Sequence, residues 1–209
     1  MIMEPKMSLN LQDFSNIENY FETSDTLKNS NIISENINHL NISEIEFHSC
    51  MLKNVDFINC NLDKSYFFNT ILENCDLSNI NLNKSTFKRV LFKNCKLIGT
   101  NLNSSYLENV KFIDCNLKNI FLDDSSLNKV AFYHSTLRDA IFSSATLKET
   151  SFEVSDLTLC DFSKTSLKNI DLSNSNIEGI TVYPNDICGV TLNEIQALEF
   201  LKILGIRIK

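Results

Sequence analysis

The chain has 209 residues, with Lys plus Arg at 19, Asp plus Glu at 26, a net charge of -7 and 43% hydrophobic residues. With only 4 Gly and 2 Pro it is neither collagenous nor low-complexity, and it is too apolar to be disordered. No apolar run approaches the roughly 20 residues that span a bilayer, and a net acidic chain lacks the basic footprint that binding to phosphate backbones requires.

Residues 1–10 (MIMEPKMSLN) lack a basic start followed by an apolar run, so no secretory leader is expected and the expected compartment is the cytoplasm. The 7 Cys are odd in number and sit in a long chain, which points to reduced thiols rather than a disulfide scaffold. Residues 1–45 read as an acidic N-terminal cap or an irregular first coil. Most of the net negative charge lies there, in Glu4, Asp13, Glu18, Glu22, Asp25, Glu35 and Glu44 against Lys6 and Lys28. Within it, LNLQDFSNIENYF (9–21) has the apolar spacing of a short helix.

From Leu27 to Leu192 every fifth residue is Leu, Ile, Val or Phe, 34 consecutive positions without a slip. A helix repeats apolar residues at 3.6 and a half-buried strand at 2, so a period of five needs a chain that turns once per five residues. Two residues before each of these centres, from Cys50 to Ile180, stand only Ser, Cys, Thr, Val, Ile and Ala. A large and a small inward residue two apart describe one short extended side. Two residues after the centre, Asn and Gly recur, and both tolerate the positive φ of tight corners.

Four such sides close a square of about twenty residues. The small position supports that period, reading Cys75, Cys95, Cys115 down one side, Ser85, Ser105, Ser125 down another and Val90, Val110, Val130 down a third. The fold class is therefore all-β: a right-handed quadrilateral β-helix over 46–182, with a C-terminal α-helix. At roughly 4.8 Å per coil it is a rod on the order of 32 Å long.

Residues 183–209 are read as a C-terminal helical dimerisation module, in which the period of five ends after Leu192. Thr191 and Glu194 have the spacing of a capping box. Ile195, Leu198, Leu201 and Leu204 then follow one helical face, Gly205 ends the helix, and Ile206 and Ile208 alternate with Arg207 and Lys209 as a short extended tail. The apolar face of Ile195, Leu198, Leu201 and Leu204, with Ile206, is a candidate homodimer contact through C-termini. The alternative is a cap on the last coil of its own chain.

The pattern of small residue, Asn or Asp, then Leu or Phe, as in CNLKN, CDLSN and TNLNS, resembles the pentapeptide-repeat family over roughly residues 27–192. More narrowly, NCKLIGTNL, IDLSNSNIEGI and GVTLNEIQALEFLKILGIRIK are similar to the Qnr-like, quinolone-resistance branch of Gram-positive bacteria. The resemblance implies a cytoplasmic dimer that binds DNA gyrase or topoisomerase IV and protects it from fluoroquinolones by resembling duplex DNA.

Nothing in the residues points to chemistry. His39, His48 and His134 share neither a motif nor a column of the coil, and no phosphate loop, GxSxG or HExxH occurs. A linear inward ladder of Cys does not supply the tetrahedral set zinc prefers. A non-enzyme without cofactors is expected, and the outer surface carries the function. Over 47–178 acids and bases nearly balance, but two sides are richer in acids. The candidate partner-binding residues there are Asp56, Asp63, Asp76, Asp123, Asp124, Asp156 and Asp161. Met51, Ile71 and Leu91, and then Phe121 and Ile141, are outward apolar ladders, read as cross-strand packing or as contact patches. The rival to topoisomerase binding is a general protein-interaction scaffold; direct nucleic-acid binding ranks last.

Overall fold

The computed structural model describes residues 1–203 and 205–207. Each residue of the coil lies beside the one twenty positions later: Phe67 pairs with Phe87, Leu107 with Leu127 and Asn81 with Asn101, always in parallel. The result is a parallel β-solenoid with four sides per turn. Its first two sides are one bent strand per coil, as in Tyr66–Glu73, Thr86–Lys93, Tyr106–Ile113 and Ser126–Tyr133. The third and fourth sides hold single bridges such as Asp76↔Lys96 and Asn81↔Asn101.

The corner explains the period of five. From Asn29 to Asn169 every residue two past a centre has positive φ, whether it is Asn, Lys, Asp, Leu159 or Val154. The left-handed residue bends the chain and returns the next small–large pair to the interior. The sequence marks these corners only where Asn or Gly occupies them; elsewhere the coil imposes the conformation.

Phenylalanines stack down the interior as one residue type repeats coil after coil. Phe47, Phe67 and Phe87 stack on the first side at 4.8 and 4.9 Å between ring centroids. Phe92, Phe112, Phe132 and Phe152 continue on the second at 4.7, 4.9 and 5.1 Å. The small inward residues are mostly hydrogen-bond donors, and they reach the carbonyls of the large centres in the preceding coil. The Ser105 hydroxyl donates to Leu82 O at 3.1 Å and Ser125 to Leu102 O at 2.8 Å, and the Cys95 thiol reaches Leu72 O at 3.4 Å. Six Cys are buried free thiols and Cys188 is exposed. Burial pushes the Cys50 thiol up to about 11 and the Cys160 thiol up to about 12, so both stay protonated.

The coil register begins at Thr26, which pairs with Glu46, and runs to Thr191, which bridges to Asp171. Residues 26–45 thus form a coil in register with the rest. The helix expected over 9–21 is shorter: Gln12–Phe14 is a strand beside Ser30–Ile33, and only Ile17–Phe21 (α1) is helical. The cause is tertiary: an exposed sheet edge at the first coil offers backbone partners to Gln12–Phe14. Helix α1 covers the open end of the core, burying Ile17 and Phe21, with Phe21 edge-on to Phe47 at 5.6 Å.

At the other end Glu194–Ile203 (α2) is helical. Its capping box is Asn193–Gln196 rather than Thr191–Glu194, because Thr191 is still held in the coil. Asn193 Oδ1 accepts the Gln196 N–H at 3.0 Å, and the Asn193 N–H donates to Gln196 Oε1 at 2.9 Å. Gly205 at φ 74° ends the helix, with the Ile206 N–H donating to Leu201 O at 2.9 Å.

Residues 1–8 lie outside the repeat and run along the outer surface. The Met3 N–H donates to Asn109 Oδ1 at 3.0 Å, the Lys6 N–H donates to Asn69 Oδ1 at 3.3 Å, and Glu4 pairs with Lys111.

Candidate functional site

The outward residue just before each centre on the third and fourth sides is most often Asp or Asn, and its local role is structural. The side-chain oxygen of Asp76 accepts the Ser78 N–H at 3.0 Å, Asp156 accepts Thr158 N–H at 3.1 Å and Asp161 accepts Ser163 N–H at 2.8 Å. Asn81, Asn101, Asn116 and Asn176 do the same. These Asx turns satisfy a corner N–H that the ladder leaves free. The Asn or Asp of the repeat is thus explained by turn chemistry before any partner is considered.

Ion pairs then divide the seven candidate acids. Asp76 lies 3.4 Å from the Lys96 ammonium, and Asp156 lies 3.2 Å from the Arg138 guanidinium. Asp56 stacks one coil below Asp76. Asp56, Asp63, Asp123, Asp124 and Asp161 make no ion pair among the described residues. Three of these act on one another at the fourth side. Partial burial, then the charges of Asp124 and Asp161, push the Asp123 carboxyl above its usual value. Asp124 occupies the left-handed corner at φ 53°. The structure therefore leaves Asp123 and its chain neighbour Asp124 without a cation among the described residues, with Asp161 two coils further along the same side and its charge still felt by Asp123. Among the same residues it leaves Asp63 unpaired, sets Asp76 beside Lys96 with Asp56 one coil below, and neutralises Asp156.

Of the candidate dimer residues, Ile195 is 77% exposed and Leu198 48%, while Leu201 is partly buried and Ile206 is exposed; Leu204, Ile208 and Lys209 lie outside the described residues. The opposite face of α2 closes the last coil. Gln196, 7% exposed, donates from Nε2 to Leu172 O and Ser175 O, both at 2.8 Å, and Phe200 is buried beside it. Sequence spacing had placed only apolar residues in contact; the inward anchor is the polar Gln196, which fits because coil carbonyls face the helix there.

Among the described residues no three His, Cys, Asp or Glu converge as a metal site would require. His48 meets Glu46 and His134 meets Asp114, each at 2.7 Å and in different coils. No described helix is long and apolar enough to cross a membrane.

The family model described as "Pentapeptide repeat region" matches residues 65–142 and 85–158, and "Pentapeptide repeats (8 copies)" matches residues 140–179. Together they span more than half of the chain. No curated protein matches the sequence. Among solved structures the chain is similar to HetL, a pentapeptide repeat protein involved in heterocyst differentiation regulation in Nostoc sp. strain PCC 7120. That match has 15% identity and a TM-score of 0.46, and covers 85% of this chain and 95% of HetL. A trypsin-treated form of QnrB1, a plasmid-mediated fluoroquinolone resistance protein, matches at 17% identity and a TM-score of 0.37, covering 88% of this chain and 91% of that one. A pentapeptide repeat protein of the Arabidopsis thaliana thylakoid lumen matches at 23% identity and a TM-score of 0.29, covering 45% and 66%.

Proposed function

Because this chain belongs to the pentapeptide-repeat family, whose members are in general scaffolds rather than enzymes, we propose that it acts as a rigid cytoplasmic docking rod for a type II topoisomerase, DNA gyrase or topoisomerase IV, and so protects that enzyme from fluoroquinolones. The observation that carries this reading is the unneutralised group Asp123, Asp124 and Asp161. Bare carboxylates on a stiff, repetitive rod suit the basic saddle of a DNA-binding protein, as phosphates of a duplex would, and favour fast steered association. The exposed Ile195 and Leu198 supply the face for a two-fold joining of C-termini, which would lengthen the rod.

A general interaction scaffold is the second reading. It is favoured by the near balance of acids and bases over 47–178 and by the turn-forming work of Asp76, Asp156 and Asp161.

The test is a gyrase supercoiling assay with purified protein, with and without ciprofloxacin, repeated with topoisomerase IV. Restored supercoiling under drug, or inhibition at low micromolar protein, is expected. Loss of either effect in the Asp123→Ala/Asp124→Ala variant would place the contact at this corner. No effect on either enzyme would leave the scaffold reading.

A further inference from the structure

The corner between the first and second sides carries a feature that neither the repeat nor the acidic group explains. Corner Asn residues elsewhere on the coil, such as Asn54, Asn74, Asn94 and Asn119, are exposed. Asn69 and Asn109 occupy equivalent left-handed corners at φ 50° and 54°, yet are only 8% and 3% exposed. They are covered because residues 3 and 6 donate backbone N–H groups to their side-chain oxygens. The geometry is that of a ruler. The two Asn lie two coils apart, roughly 9.6 Å at 4.8 Å per coil. Three residues of extended chain reach about 10 Å at 3.3 Å each, so an extended backbone matches the coil spacing without strain.

Charge on this strip is also unbalanced. Lys88, Lys93 and Lys129 have carboxylate partners in the coil, namely Glu108, Glu73 and Glu149. Arg89, which lies over the Phe68 ring at 4.5 Å, makes no ion pair among the described residues. Among the described residues Lys111 finds its carboxylate only in Glu4 of the N-terminal segment. The outward apolar residues Ile71 and Leu91 belong to the coils that the segment crosses between its two anchors.

We propose that this strip, from Asn69 through Arg89 to Asn109 and Lys111, is a docking groove for an extended peptide segment that presents one carboxylate, and that residues 1–8, through Glu4, are its resident occupant. The groove reads one acidic side chain at Lys111 and two backbone N–H groups, one just before that acid and one two residues after it. Those are the positions of Met3, Glu4 and Lys6. A partner segment with the same pattern displaces residues 1–8, so the segment sets a threshold for that partner. The groove lies away from the Asp123, Asp124 and Asp161 corner and does not depend on the topoisomerase reading.

The test uses the full chain. Glu4→Lys is introduced to free the segment, and a labelled peptide of residues 1–8 is titrated against it by fluorescence anisotropy. Binding is expected, about tenfold tighter than to the wild-type chain, where the tethered segment competes at high effective concentration. A peptide carrying Glu4→Lys is expected to bind Lys111→Glu better than the unmodified chain. In parallel, amide exchange of wild type is expected to show Met3 and Lys6 protected, and Asn109→Ala to lose protection at Met3. The proposal is overturned if the Glu4→Lys chain, folded by circular dichroism, does not bind the peptide. Equal binding of both peptides to the same groove, or Met3 and Lys6 amides exchanging as freely as in the isolated peptide, overturns it as well.

Discussion

Val154 shows how firmly the coil dictates conformation at single residues. It is β-branched and exposed, yet sits at φ 52° because the corners of the coil from Asn29 to Asn169 are all left-handed. Such a residue resists this region by about 1–2 kcal/mol. Val154→Asn is expected to stabilise the protein by about 1 kcal/mol in urea denaturation, since no core contact is lost. Gly179 is the converse. At φ 69° its added Cβ would meet Leu159 Cδ2 at 2.7 Å, so Gly179→Ala is expected to cost about 1–2 kcal/mol, with part recovered in a Leu159→Ala background. Titration adds a signed prediction. Burial opposes ionisation of Asp76 and Asp156, but hydrogen bonds from Ser78 and Thr158 and the charges of Lys96 and Arg138 outweigh it and hold both below the usual value. Their contribution is complete above the ordinary carboxylate pKa of about 4 and is lost as pH falls through the depressed values. Asp123 has the opposite sign, since its raised pKa makes ionisation a cost at neutral pH. Asp123→Asn is therefore expected to raise Tm at pH 7, and Asp156→Asn to lower it.

Single elements behave as links in a one-dimensional stack, where each coil is stabilised by its neighbours. Phe112 lies between Phe92 and Phe132 and is buried. Phe112→Ala is expected to cost about 3–5 kcal/mol, read as a lower midpoint in urea denaturation, because the cavity opens where stacked strands cannot collapse. Helix α2 has two faces with different duties. Gln196→Ala removes the capping box and two buried hydrogen bonds to the coil, with an expected loss of about 2–3 kcal/mol. Ile195→Asp touches only the exposed face, and Tm of the dilute protein is expected to stay unchanged. The difference between these variants separates a cap from an association surface.

For the whole molecule, charge and symmetry set the expected partners. The Ile195→Asp/Leu198→Asp variant is expected to sediment at half the mass of wild type if the C-termini join two copies, and at the same mass if they do not. The acidic corner and the N-terminal strip are separate surfaces of opposite charge. One carries carboxylates that no cation neutralises among the described residues, the docking face of the proposed topoisomerase reading. The other carries Arg89 and Lys111 and is already covered by residues 1–8 of its own chain. Raised salt is expected to slow association at the acidic corner more than it loosens the strip, where two neutral backbone hydrogen bonds share the work.

The repeat was legible in the sequence because it is a local rule repeated many times. A large residue every fifth position, a small one two before it and a corner two after it determined the fold class, the twenty-residue coil and the inward Cys, Ser and Val columns. A helix near Ile195 was legible from its change of period. What the repeat could not show were contacts made outside it. The strand Gln12–Phe14 exists because the first coil leaves an edge open, and Asn193–Gln196 replaces Thr191–Glu194 because the ladder still holds Thr191. The separation of seven candidate acids into turn formers, ion-pair members and a bare corner depends on which side chains meet across coils. Burial of Asn69 and Asn109 depends on a segment whose own sequence carries no period. These were decided by tertiary structure, because hydrogen bonding and charge compensation depend on neighbours in space, whereas the period records only neighbours in the chain.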